Sequence, residues 1–126
     1  MGVIYSDINV SNPVDKNIKP FDVKCLVDSG ATYFCIPEHI SVQLGLNELE
    51  KREVILADGS SKLVSYVGPV KLQFENRTCF VGALVLGDQC LLGAIPMEDM
   101  DLIIHPKLLK LSVNPASPNI ASGLAM

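Results

Sequence analysis

The sequence predicts an all-β domain of short strands and tight turns, with two short helices. Three observations lead there. Apolar residues come in brief runs that alternate with polar ones, the pattern of strands with one buried face. Turn-forming residues such as Asn12-Pro13, Asp58-Gly59 and Asp88-Gln89 separate these runs. Only two segments carry helical signals, and both are short.

Residues 2–10 alternate loosely and are read as the first strand, followed by a polar, proline-bounded loop from Asn12 to Pro20. Phe21 to Val27 forms the second strand and turns wholly apolar just before Asp28. Pro37 to Leu46 is a short helix, with Pro37 at its first position and Gly45 closing it. Glu53 to Leu56 and Lys62 to Tyr66 form a hairpin across Ala57-Asp58-Gly59-Ser60, where Gly59 tolerates a positive φ. A second hairpin pairs Val70 to Phe74 with Cys79 to Leu86 and turns near Asn76. Cys90 to Gly93 is a buried strand. Pro96 to Met100 is a short helix whose acids are assigned to its first turn. Leu102 to His105 and Leu108 to Val113 are the last strands. Residues 1–114 make one domain, and 115–126, with Pro115, Pro118 and Gly123, are a tail without assigned structure.

A chain of 126 residues buries about two thirds of its unfolded surface, enough for a real core. With 48% hydrophobic and 19% charged residues it has a globular composition, not a disordered one. A net charge of −4, ten scattered Lys and Arg, and no Trp argue against a nucleic-acid partner. No apolar run approaches the ~20 residues that span a bilayer, so no membrane partner is expected. The N-terminus lacks the basic and apolar regions of a secretory leader, which makes the cytoplasm the default location. The cysteines at 25, 35, 79 and 90 show no metal-ligand spacing and are read as small buried hydrophobes. Asn76-Arg77-Thr78 is a chance match to a glycosylation acceptor.

The chemistry concentrates in Asp28-Ser29-Gly30-Ala31-Thr32. A lone carboxylate stands at a strand end, on a turn that Gly30 bends without a Cβ penalty. The small and hydroxyl residues that follow can donate hydrogen bonds back to it. The chain carries this stretch once, so chemistry that needs two carboxylates needs a second copy of the chain.

Leu26-Val27-Asp28-Ser29-Gly30-Ala31-Thr32, a short helix, an Asp-Gly-tipped hairpin, Leu91-Leu92-Gly93 about 60 residues on and a C-terminal helix resemble the retropepsin-like (clan AA) aspartic proteases. The resemblance is to the small bacterial type and covers residues 2–115. It implies a partly open barrel of short strands with one active-site Asp motif per subunit, and a symmetric homodimer with its site on the two-fold axis. It also implies an aspartic endopeptidase that takes peptides in extended conformation and requires no metal or cofactor.

In that reading Asp28 is catalytic in both subunits. Two carboxylates in contact hold one proton between them; the ionised one activates a water and the protonated one donates to the peptide carbonyl. Ser29 bonds across the axis, Gly30 admits substrate backbone, and Ala31 and Thr32 complete the turn. Leu92 and Gly93 pack behind it. Ala57, Asp58, Gly59 and Ser60 form the tip of a flap that closes over the substrate. Viral members carry an Asp where Thr32 stands and a paired Arg where Ala94 stands. The joint loss orphans no charge but changes how substrate is anchored.

The alternative is a non-catalytic dimeric peptide-binding module with a protease-like fold. Among other candidates, His39 and His105 lack a nucleophile partner motif and are read as structural. Asp58 has ordinary hairpin chemistry beside its flap role. Asp99 and Asp101 are read as acids of a helix's first turn, and Glu48 to Glu53 as a solvated charged face.

Overall fold

Alternation decides which side chains turn inward. Along Phe21–Val27, Val23, Cys25 and Val27 are buried while Asp22 and Lys24 face solvent. The computed structural model describes residues 2–125; Met1 and Met126, the outermost residues of the domain and tail assigned above, lie outside it. Within it the chain forms β1 (Ile4–Ser11), β2 (Phe21–Val27), β3 (Phe34–Ile36), α1 (Glu38–Gln43), β4 (Asn47–Ile55), β5 (Ser61–Phe74), β6 (Arg77–Val85), β7 (Cys90–Leu92), α2 (Ala94–Asp99), β8 (Leu102–His105) and β9 (Lys110–Val113). The protein is all-β. Among the described residues, no helix is long and apolar enough to cross a membrane.

β1, β2, β7, β3, β6 and β5 pair in that order, and β5 returns to β1 through Asn9–Gln73, Val10–Leu72 and Ser11–Lys71. This seam of three residue pairs closes the barrel that the resemblance implied would be partly open. Closure follows from the shape of β5. The strand continues through Gly68-Pro69, where the sequence suggested a break, and shifts register between Val67 and Val70. Such an irregularity bends a strand, so its first half serves β4 and its second half reaches β1. β4 pairs only with β5 and lies outside the ring, so the β4–β5 hairpin projects from the barrel wall.

β3 was not foreseen. Three residues are too few to show a period, and its pairing is decided by distant partners: Phe34 with Ala83 in parallel and with Leu92 in antiparallel. β4 begins at Asn47, so the charged run from Glu48 to Glu53, largely solvent-exposed as expected, lies on a strand. Pro37 is the N-cap of α1, one place before the expected position. Glu98 and Asp99 fall in the last turn of α2, and Asp101 lies beyond it with φ 55°, which corrects their assignment to a first turn.

The core runs along the barrel axis. Ile8, Val10, Cys25, Phe34, Ile36, Leu72, Leu92 and Met100 are fully buried, the aliphatic, Phe and Met side chains each stabilising the fold by about 1.5–3 kcal/mol. Cys25, Cys79 and Cys90 are buried and Cys35 partly so, all as free thiols. Cys25 stands in register with Cys90, whose hydrogen bond, together with burial, pushes the Cys25 thiol well up. Burial raises Cys35 to about 11 and Cys79 to about 12, so these thiols pack as apolar groups.

Among the described residues the tail adds no helix or strand, but it is tied to the barrel. Asn76 Nδ2 donates to the Pro118 carbonyl at 2.9 Å, and Arg77 Nη2 donates to that of Ser117. Asp101 accepts from Asn114 Nδ2 at 3.0 Å, from the Ser122 N–H at 3.0 Å and from the Ser117 hydroxyl.

Candidate active site

β2 delivers Asp28 to the end of the barrel. Val27 pairs with Leu92 in the parallel β2–β7 ladder, and the next rung is the Asp28 N–H donating to the Leu92 carbonyl at 3.0 Å. The chain then turns. The Ala31 N–H donates to the Asp28 carbonyl at 3.2 Å, and the Gly30 N–H to the Asp28 carboxylate Oδ1 at 2.9 Å. One carboxylate oxygen is thereby oriented by its own turn, while the residue as a whole stays exposed to solvent. Ser29 sits beside it, also exposed.

The turn is clamped from behind. The Ala94 N–H donates to the Ala31 carbonyl at 2.8 Å and the Ile95 N–H to that of Thr32 at 2.9 Å. Gly93 is needed for this contact, because a Cβ there would stand 2.4 Å from the Tyr33 carbonyl oxygen and 2.8 Å from the Thr32 carbonyl carbon. Leu92, fully buried, anchors the same junction in the core. Behind the turn, Leu92 fills the core and Gly93 leaves room for backbone.

A cleft of about 620 Å³ opens in front of the turn. Asp28, Gly30, Ala31 and Thr32 line one side, and β4 with the hairpin entry, from Val54 to Ala57, lines the other. Leu84, Leu86 and Leu91 supply apolar wall between them. The Asp28 carboxylate at a cleft walled largely by apolar side chains, with Glu53 the other acid in its lining, is the chemical content of the site.

The hairpin tip is built by its own polar groups. The Leu56 N–H donates to the Ser60 carbonyl at 2.8 Å, and Gly59, at φ 87°, donates back to that of Leu56 at 2.9 Å. Asp58 accepts from the Ser60 hydroxyl at 2.6 Å and from its N–H at 2.9 Å, and these two bonds hold its carboxyl below its ordinary value. Of the four residues expected at the flap tip, Ala57 lines the cleft, whereas Asp58, Gly59 and Ser60 do not. Asp58 is occupied in the turn.

The root of the hairpin holds a group that sequence reading missed. Arg52 stacks over Tyr66, with 3.8 Å between its guanidinium carbon and the ring centre, and lies 5.7 Å from the Tyr33 ring. Its Nε donates to Glu50 at 2.8 Å. Gly82 makes space for the stack, since a Cβ there would fall 2.1 Å from Tyr66 Cζ. The assembly links both hairpin strands to the residue following Thr32. Arg77 was missed too: it stands inside an apparent glycosylation triplet yet is 1% exposed. His39 is exposed on α1, and His105 Nε2 lies 2.7 Å from the Ser112 hydroxyl in the β8–β9 hairpin, far in sequence from this cleft.

The sequence matches no family model and no curated protein. Among solved structures, the chain is similar to the solution structure of the simian foamy virus (mac) protease, at 20% identity and a TM-score of 0.45, covering 73% of this chain and 93% of that one.

Proposed function

We propose that this chain is an aspartic endopeptidase of the retropepsin-like type, active as a homodimer. The observation that carries the proposal is the placement of Asp28: a strand-end carboxylate, oriented by the Gly30 N–H and backed by the Gly93 junction, at the edge of an apolar-walled cleft under a hairpin.

The reaction follows from pairing two such turns. With two Asp28 carboxylates at hydrogen-bonding distance, one proton is shared, because like charges that close cannot both persist. The ionised carboxylate removes a proton from water as its oxygen adds to the scissile carbonyl carbon. The protonated one gives its proton to the carbonyl oxygen, neutralising the charge that develops there. Collapse of the tetrahedral gem-diol breaks the C–N bond. The amine leaves with the proton first taken from water, and the hydroxyl proton returns to the carboxylate pair. Backbone groups of the hairpin hold the substrate as an added strand.

The dimer is supported by the surface beside the turn. Ile4 pairs with Val27, which brings the start of β1 alongside Asp28, and Leu109 packs close to Gly2. There Val3, Leu108 and Leu109 are 60%, 64% and 46% exposed, an apolar rim next to a half-site. Four free thiols are in keeping with a reducing compartment, and we place the protein in the cytoplasm.

The unpaired edge of β4 favours one other reading, a dimeric module that binds extended peptides without turnover. A mixed peptide library separates the two. Cleavage by the native chain, abolished in Asp28→Asn with fold and dimer retained, is the expected result; equal turnover by the variant would refute the proposal.

A further inference from the structure

The cleft does not end at Asp28. Tyr33 lines both the cleft and a neighbouring pocket of about 360 Å³, and Phe80, Val81 and Ile95 line both that pocket and an outer groove of about 710 Å³. The three hollows are thus neighbours that share walls, from the proposed catalytic turn across β6 to the end of α2.

The outer groove has a defined chemistry. Phe80 and Ile95 are 60% and 43% exposed along it. Exposed apolar side chains gathered in a groove mark a binding surface more often than scattered ones do. Its rim carries Glu98 and Asp99, both exposed and, among the described residues, free of any ion pair. They occupy the last turn of α2, where the helix dipole disfavours negative charge. The dipole thus gives them no stabilising role at that end, and both line the groove. The opposite wall is the tail from Ala121 to Leu124, fixed by the Ser122 N–H on Asp101.

We infer that this groove is an accessory site that binds a segment of the substrate polypeptide outside the scissile region, one carrying apolar residues next to Lys or Arg. The apolar side chains lie on Phe80 and Ile95, and the basic heads reach Glu98 and Asp99 while their methylene stems cover the floor. The chain's net charge of −4 favours the same partner through space. The inference rests on the proteolytic reading for its substrate, but not for its binding chemistry.

The test uses the full chain and a cleaved peptide extended, at either end, by alternating Leu-Lys, Leu-Gln or Leu-Glu residues. The basic extension at one end should raise kcat/KM about tenfold, through KM. Phe80→Ser, and separately the double change Glu98→Lys with Asp99→Lys, should remove the gain while leaving cleavage of the unextended peptide as it was. The double variant should come to prefer the Leu-Glu extension, a reversal that a merely unfolded protein does not produce. Fluorescence anisotropy of the labelled extension alone on the Asp28→Asn protein gives a readout independent of turnover. Binding there that depends on Phe80, with no cleavage by the native chain, sinks the protease and leaves the groove standing. Cleavage or binding indifferent to the extension, to Phe80 and to the rim charges overturns the groove.

Discussion

Arg77 and Asp101 approach to 4.0 Å at the base of the tail, one rooted at the start of β6 and the other in the turn after α2. The arginine is 1% exposed, and its Nε and Nη1 meet no protein acceptor among the described residues. Between them the pair receives the tail: Arg77 bonds the Ser117 carbonyl, and Asp101 gathers Ser117, Asn114 and Ser122. The groove wall at residues 121–124 exists because of this arrangement.

Asp101 links stability to acid. The Ser117 hydroxyl, then the Asn114 amide, the Ser122 N–H and Arg77 hold its carboxyl at about 2, below the ordinary value of 3.8. The folded state therefore favours the ionised form. Its contribution is fully present above the unfolded value and is lost as pH falls through the folded one. Thermal melts should hold steady above about pH 5 and decline between about pH 4 and 2. Asp101→Asn should be less stable near neutrality and show a shallower decline over that window. Parallel curves would remove Asp101 from the account.

Truncation after Asn114 should destabilise the fold by about 1–3 kcal/mol, because it strips the Ser117 carbonyl from the buried Arg77 guanidinium. Urea denaturation of the full and shortened chains measures this. An unchanged midpoint would mean that Arg77 finds other partners.

Gly93→Ala places a methyl against the Tyr33 carbonyl, where only backbone can yield. A cost of about 1–3 kcal/mol is expected, together with displacement of the Asp28 turn. Peptide cleavage should fall more steeply than stability. A variant with full activity would show that the junction does not position Asp28.

Gly82→Ala meets a side chain and not backbone, namely the Tyr66 ring. The ring should swing off Arg52 with the barrel intact, at a cost close to the about 0.5–1 kcal/mol of an exposed cation–π contact. Arg52→Ala should cost as much, and the two changes together no more than either alone. Full additivity in this cycle would mean that the two residues act separately.

If Asp28 works as a pair, specific activity should fall on dilution through the dimer range, with sedimentation tracking the monomer. Leu109→Asp should move both transitions to higher protein concentration. Activity that stays flat into the monomer range would leave one carboxylate doing the chemistry alone.

Several features were legible because their causes are local. Phe21 to Val27 alternates and ends on Asp28, and β2 spans those same residues. Asp58-Gly59 demands a positive φ, and the hairpin turns there. Cys90 to Gly93 reads as a short buried strand, and β7 spans Cys90–Leu92. Other features had no local trace. β3 is a strand only because Ala83 and Leu92 flank it. Arg77 looks like any surface arginine until the tail folds over it. Glu98 and Asp99 looked like helix-starting acids because Pro96 suggested a later helix start than Ala94.

Alternation, turn chemistry and the lone Asp-Ser-Gly stretch were enough, as sequence, to specify an all-β chain with one strand-end carboxylate. Each depends on neighbours within a few residues, where sterics and side-chain period act directly. Barrel closure through Asn9–Gln73, the tying of the tail by Arg77 and Asp101, and the outer groove between α2 and the tail were decided by tertiary structure. These pairings span tens of residues, and their free energy comes from burial and hydrogen bonds that exist only once the barrel has formed.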